Sequence, residues 1–167
     1  MTGEKSLAYI ALGSNLGDSC DLLDRAIQRL QKLSEGPVKR SSFWRTTPVD
    51  CPPGSGAFIN AVVALQVGAG ETPEGLLRKL QALEKEFGRT PKKVMNEARP
   101  LDLDLIAFGN QTINTPDLIL PHPRAHLRRF VLEPLNEIAP DLILPGQKKT
   151  VRELLANLRT DEVVKKV

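Results

Sequence analysis

The sequence is poor in cysteine, in aromatic residues and in long apolar runs. Cys20 and Cys51 are the only cysteines. They form no C-x-x-C pair and are too few for a disulfide framework, so a reduced compartment is expected. No stretch approaches the ~18 consecutive apolar residues of a membrane span. The opening Met1-Thr2-Gly3-Glu4-Lys5-Ser6 lacks the basic-then-apolar plan of a signal peptide, and a cytoplasmic location is expected. No block of like charge marks a nucleic-acid tail. The net charge is only +3 and the pI about 9.0, a balance that suits an anionic small molecule at least as well. Aromatic residues are 4% of the chain, so each one should have a specific packing partner. Repeats and low-complexity tracts are also missing. What remains is 41% hydrophobic residues and 26% charged ones of mixed sign. That composition excludes wholesale disorder, and 167 residues favour one domain spanning 1–167.

The apolar run from Leu7 to Leu12 reads as a buried strand, followed by a tight turn at Gly13-Ser14-Asn15-Leu16-Gly17. A helix capped near Asp18 or Ser19 carries a stripe of Leu22, Leu23, Ala26, Ile27, Leu30 and Leu33. Gly36-Pro37 stops it. Strands are expected over 38–45 and 57–67, with a Pro- and Gly-rich loop over 47–56 between them. Thr72 caps a second helix with Pro73 at its first position, ending at Gly88. A loop over 89–100 leads to a strand over 101–108 and a turn at Gly109-Asn110. Beyond these come an extended stretch over 112–120, an irregular or short helical piece over 121–129, and short helices over 131–138 and 150–158. The order strand, helix, strand, strand, helix, strand predicts an α+β, ferredoxin-like βαββαβ core. Its antiparallel sheet would carry both long helices on one face, with a C-terminal extension added.

Chemistry concentrates at Arg99-Pro100-Leu101-Asp102-Leu103-Asp104-Leu105. Residues two apart on a strand share a face, so Asp102 and Asp104 point the same way, about 7 Å apart, while the leucines enter a core. A divalent cation between two such carboxylates removes their repulsion and their loss of hydration. Oxygen-only ligands suit magnesium, and the separation leaves room for two ions about 3.5–4 Å apart. A solvated strand face, or salt bridges to arginines, would produce the same pattern. Glu84 falls at the edge of the Leu76, Leu80, Leu83, Phe87 stripe, with Gln81 one step further round. It either snorkels to water or faces a site shared with the following loop. Arg89, Lys92, Lys93, Arg99, Arg124, Arg128 and Arg129 form a spread of cations. They suit a triphosphate or simply a solvated surface. On the third strand Phe58 and Asn60 share a face, offering a ring and an amide to a heterocycle. An edge-strand asparagine bonded to backbone would read the same way. His122 and His126 have a zinc-like spacing that Pro123 disrupts. His122 beside Arg124 and Arg128 still suits a phosphate.

Taken in order, these pieces resemble the 6-hydroxymethyl-7,8-dihydropterin pyrophosphokinase family of folate biosynthesis. The resemblance rests on Ala8-Tyr9-Ile10-Ala11-Leu12-Gly13-Ser14-Asn15, Ser41-Ser42-Phe43-Trp44-Arg45-Thr46 and Phe58-Ile59-Asn60-Ala61. It continues through Leu83-Glu84, Gly88-Arg89, Arg99 with Leu101-Asp102-Leu103-Asp104, and Leu120-Pro121-His122-Pro123-Arg124. Arg128 with Phe130-Val131-Leu132, Pro134-Leu135 and Glu137-Ile138-Ala139-Pro140 complete it. The resemblance implies a ferredoxin-like fold and transfer of pyrophosphate from ATP to the pterin, leaving AMP. It implies two magnesium ions on Asp102 and Asp104, with Arg89, Arg99, His122 and Arg128 on the triphosphate. Gln81, Glu84 and Leu105 fall on the nucleotide side. Thr46, Thr47, Val49 and Asn60 fall at the pterin edge, with Phe58 and Phe130 stacking on the ring. Asn96-Glu97-Ala98 stands where the family often has an aromatic residue, Gly and Pro. Pro91 replaces a second arginine, and Phe58 replaces a tyrosine of some members. The partners implied are ATP and the pterin, without nucleic acid or membrane, and a monomer is the expectation. An RNA-binding sheet module would need exposed aromatics on central strands and would leave the Asp pair without a role. A different magnesium-dependent transferase, such as a nucleotidyltransferase, would use the pair differently.

Overall fold

The computed structural model describes residues 6–15, 19–47, 57–88, 101–160 and 162–167. The first apolar run becomes strand β1 (Ser6–Ser14), which extends through Gly13 and Ser14. The tight turn expected over Gly13 to Gly17 is therefore corrected at its start: Gly13 is still paired on both sides, to β4 and to β5, while Leu16 and Gly17 lie outside the described residues. Helix α1 (Ser19–Gln31) buries Leu23, Ala26, Ile27 and Leu30, as its stripe predicts.

The strand expected over 38–45 is broken into β2 (Lys39–Arg40) and β3 (Trp44–Thr47). Ser41 is the reason. Its amide donates to the Val62 carbonyl at 2.9 Å, while its hydroxyl accepts from the Val62 amide at 2.9 Å. A side chain thus replaces a backbone carbonyl in the ladder, and the strand restarts beyond it. Strand β4 (Phe58–Val67) is long and nearly all buried. Helix α2 (Pro73–Glu86) is capped by Thr72, whose Oγ1 accepts from the Gly75 amide at 3.0 Å. Gly88 follows its end at φ 96°, a left-handed conformation that glycine adopts without steric cost.

Strand β5 (Asp102–Phe108) precedes a small hairpin of β6 (Ile113–Asn114) and β7 (Ile119–Leu120). A cis Leu120–Pro121 bond and a 3-10 turn Ala125–Leu127 lead into α3 (Arg129–Ile138). The chain continues through α4 (Val151–Asn157) to β8 (Val163–Lys166), a strand absent from the sequence expectation.

The large sheet runs β5-β1-β4-β3-β8 with antiparallel neighbours, and β2 pairs with β4 alongside β3. Both of its faces are covered. Ala8, Ile10, Leu12, Ile59, Val63, Leu103 and Leu105 join α1 and α2 in one core. Tyr9, Val62, Ala64, Ile106 and Ala107 join Val131, Leu132, Leu135 and Val151 of α3 and α4 in a second. Alternation along each strand produces this division. It is interrupted once, on β5. There Tyr9 pairs with Ala107 and Ile10 with Leu105, leaving Ile106 as the extra residue of a bulge.

Candidate active site

The register places four side-chain positions in one row across the sheet. Asp102 pairs with Gly13, Gly13 with Asn60, and Asn60 with Trp44. Directly opposed residues share a face. The Trp44 indole N–H donates to Glu137 of α3 at 2.6 Å, which assigns the row to the α3 face. Asp104, one step along, pairs with Ala11, which pairs with Val62. Both aspartates are half-buried, while Leu101, Leu103 and Leu105 are buried in the opposite core. The strand register expected from sequence is therefore the one observed. At about 4.8 Å per strand, Asp102 and Asn60 lie about 10 Å apart across Gly13.

Gly13 is a site residue that sequence reasoning treated only as a turn. A Cβ built there would stand 3.1 Å from Nδ2 of Asn60. Its missing side chain keeps the floor low between the carboxylates and the amide. The cross-strand pairing was the needed signal, and a single strand does not carry it.

Asn60 is buried on a central strand, not an edge strand, and its partner is a side chain. Thr46 Oγ1 donates to Asn60 Oδ1 at 2.7 Å. With Oδ1 so occupied, Nδ2 turns toward Gly13 and the aspartates; the amide orientation is assigned from this network. Phe58 sits opposite Thr46 on the same face of β4.

Glu84 does not snorkel to water. It is only 7% exposed, and its Oε2 accepts from the Leu103 amide at 2.8 Å. It thereby holds the outer edge of β5 between the two aspartates. Glu84→Ala should leave that amide unsatisfied and cost about 1–3 kcal/mol in urea unfolding. Glu84→Gln, which keeps an acceptor, should cost less. Equal losses in the two variants would count against this role. Gln81 on the same helix is exposed. Leu105 is 4% exposed with its side chain in the α1–α2 core, so that side chain cannot meet a ligand. Because the Leu103 amide points outward to Glu84, alternation turns the Leu105 backbone to the same outer edge.

Further along β5, the His122 amide donates to the Ile106 carbonyl at 2.8 Å. His122 Nδ1 accepts from the Arg124 amide at 3.2 Å, which assigns the proton of a neutral ring to Nε2. Burial, then the Arg128 and Arg124 charges, push the imidazole below its ordinary pKa of 6.5, and Asp102 opposes them. His122, Arg124, Arg128 and Asp102 thus share one electrostatic neighbourhood. The Arg128 guanidinium lies 5.5 Å over the Phe130 ring at the start of α3. Arg89, Arg99 and Val49 lie outside the described residues, as do Lys92 and Lys93; Thr47 is described through its backbone alone.

Glu137 is a second residue to which sequence reasoning gave no role. Besides Trp44, it accepts from the Ser42 amide at 3.0 Å and the Ser42 hydroxyl at 2.8 Å. Burial alone would raise its carboxyl pKa, but these bonds and Lys166 hold it below the usual carboxylate range. Among the described residues no group of three or more His, Cys, Asp or Glu side chains is arranged to hold a metal. No helix among the described residues is long and apolar enough to cross a membrane.

Residues 9–140 match the family described as 7,8-dihydro-6-hydroxymethylpterin-pyrophosphokinase. A 2-amino-4-hydroxy-6-hydroxymethyldihydropteridine pyrophosphokinase of Haemophilus influenzae is 37% identical over 159 residues, covering 95% of this chain and 96% of that one. The Bacillus subtilis protein of the same name is 40% identical over 134 residues, covering 80% and 78% respectively. Among solved structures, an HPPK-DHPS chain in complex with substrates superposes with a TM-score of 0.72 at 14% identity. The match covers 91% of this chain and 43% of that one, so the present chain spans under half of it.

Proposed function

The chain belongs to the 7,8-dihydro-6-hydroxymethylpterin-pyrophosphokinase family, and from that premise we propose that it transfers pyrophosphate from ATP to 6-hydroxymethyl-7,8-dihydropterin for folate biosynthesis. The pterin hydroxymethyl oxygen bonds to the β-phosphorus, the bond from that phosphorus to the α-phosphate oxygen breaks, and AMP leaves. The hydroxyl proton is released. The observation that supports this reading is the single row holding Asp102, Gly13 and Asn60, in which a phosphate site at the carboxylates would lie beside a heterocycle site at the amide.

Asp102 and Asp104 fit magnesium through their hard oxygen donors on one strand face at the spacing of alternate residues. When bound, two such ions would neutralise phosphate charge and draw the hydroxyl toward phosphorus. Arg89, Arg99 and Arg128 would hold the triphosphate, with His122 donating from Nε2. Gln81 and Glu84 would lie on the nucleotide side, where the outward-facing Leu105 backbone, not its side chain, would meet the base. Thr46, Thr47, Val49 and Asn60 would read the pterin edge, between the rings of Phe58 and Phe130. Positioning in line and charge stabilisation would then supply catalysis. The order β1, α1, β3, β4, α2, β5 reads as the ferredoxin-like arrangement within one domain of 1–167 acting as a monomer in the cytoplasm, with α3, α4 and β8 added.

The decisive assay incubates the protein with ATP, magnesium and the hydroxymethylpterin. AMP and pterin diphosphate should accumulate in equal amounts. ADP, or free pyrophosphate, in place of these products would refute the reading. A pH series tests His122. A bound triphosphate favours the charged ring, so binding takes up a proton. Affinity for a nonhydrolysable ATP analogue should therefore tighten as pH falls from neutrality through the lowered pKa of His122. Protonation of the nucleotide is common to all variants, so a His122→Gln profile isolates the ring. Identical profiles would remove His122 from the phosphate site.

A further inference from the structure

The C-terminal segment from Leu158 to Val167 lies beyond the stretch matched by the family, and no step above uses it. Its contacts fall on both sides of the proposed pterin pocket. At the start of α3, Glu162 Oε1 accepts from the Arg129 amide at 3.3 Å. This carboxylate caps a helix whose own N-cap residue, Arg128, supplies no side-chain bond. The Arg129 guanidinium returns a bond to the Leu158 carbonyl at 3.5 Å. Beyond Glu162 the chain becomes β8 and pairs Val163 with Thr47, Val164 with Thr46, Lys165 with Arg45 and Lys166 with Trp44.

Lys166 closes the far end. Its ammonium lies 3.6 Å from Glu137 Oε2 and 5.4 Å from the centre of the Trp44 ring. The Val167 amide donates to the Phe43 carbonyl at 2.9 Å. The dimensions agree with one continuous brace. Four strand residues from Glu162 to Lys166 span about 13 Å. Eight helical residues from Arg129 to Glu137 span about 12 Å. β8 therefore runs beside α3 while hydrogen-bonded along β3, and Glu137 joins all three.

We propose that this segment, through Glu162 and Glu137, is a positioning strap for the pterin pocket. It couples the first turn of α3, which carries Phe130, to β3, which carries Thr46. Without β8, β3 would be the edge of the sheet. Thr46 sets the Asn60 amide through its 2.7 Å bond, so a shift in β3 turns the Asn60 donor away from the heterocycle. Glu162 and Glu137 touch neither substrate and act through Phe130, Thr46 and Asn60. The inference rests on the assignment of Asn60 and Phe130 to the pterin.

The test measures steady-state kinetics and nucleotide-analogue binding for Glu137→Ala, Glu162→Ala and a chain ending at Thr160, beside the full chain. The pterin KM should rise about tenfold in each, with the analogue Kd unchanged within about twofold. Glu137→Gln keeps an acceptor for Ser42 and Trp44 and should recover part of the loss. Trp44 is the only tryptophan. Its emission should shift to the red in Glu137→Ala as the indole loses its partner. A native pterin KM in Glu137→Ala and in the shortened chain overturns the strap. So does a parallel loss of nucleotide affinity, which marks general destabilisation. If the shortened chain does not fold, the two point variants decide the matter by the same criteria. Asn60→Ala in the full chain separates the two levels. If it raises the pterin KM, the pocket assignment stands whatever the strap variants do. If it leaves the KM unchanged, the assignment is wrong and the strap falls with it.

Discussion

Asp102→Ala and Asp104→Ala should each lower turnover by about 10³-fold, the upper range for removing one charge-stabilising group from a reaction centre. The protein should remain folded. Both aspartates are half-buried on a strand whose apolar side chains enter the opposite core, and alanine leaves that core intact. Circular dichroism of either variant should therefore match that of the native protein. Raising magnesium in the native protein should raise its thermal midpoint, because a ligand that binds only the folded state stabilises it by mass action. That increment should vanish in both variants. Turnover within tenfold of native in either variant would remove the pair from the chemistry. A fall in midpoint of several degrees would instead assign the aspartates to the fold.

The second large effect is expected at Gly13, which contacts neither substrate in the reading above. Its Cβ position is already 3.1 Å from Asn60 Nδ2, tighter than ordinary contact. Valine adds two further carbons on the same face, in the gap between the carboxylates and the amide. The reacting oxygen and phosphorus would have to meet in that gap. Gly13→Val should lower kcat/KM for the pterin by about 10²-fold, the loss that follows a misplacement of about 1 Å. Nucleotide-analogue affinity should change far less, because the side chain that must yield, Asn60, is assigned to the pterin in the proposed reading. Gly13→Ala should fall between, since Asn60 must yield only a few tenths of an ångström. Native kinetics in Gly13→Val would mean that the two substrates do not meet over this row.

Much of this was legible along the chain. The alternation of Leu101, Asp102, Leu103, Asp104 and Leu105 assigns faces without any tertiary information, because side chains on a strand alternate. The α1 and α2 stripes and the Thr72 cap are equally local, and each is found as read. Ser41 was not legible as a strand break. Its hydroxyl acts only because the Val62 backbone comes alongside. β8 was missed because Val163-Val164-Lys165-Lys166 has no alternation of its own. It becomes a strand by pairing with β3. Glu84 was ambiguous for a related reason. Helical periodicity places it at the rim of the stripe, and the Leu103 amide that takes it inward comes from a strand nineteen residues later in the chain.

The Asp pair marks the division between the two sources. By itself the sequence determined that the pair exists, that its members share a face and that hydrophobic neighbours hold their strand, since those properties follow from a two-residue period. Only the tertiary structure decided what stands beside them. Gly13 and Asn60 are forty-seven residues apart in the chain and become neighbours through the register of β1 against β4. His122 and Arg128 reach the electrostatic surroundings of Asp102 because the chain folds back against the bulged end of β5. Register and approach are long-range hydrogen-bonding choices, and no local periodicity encodes them.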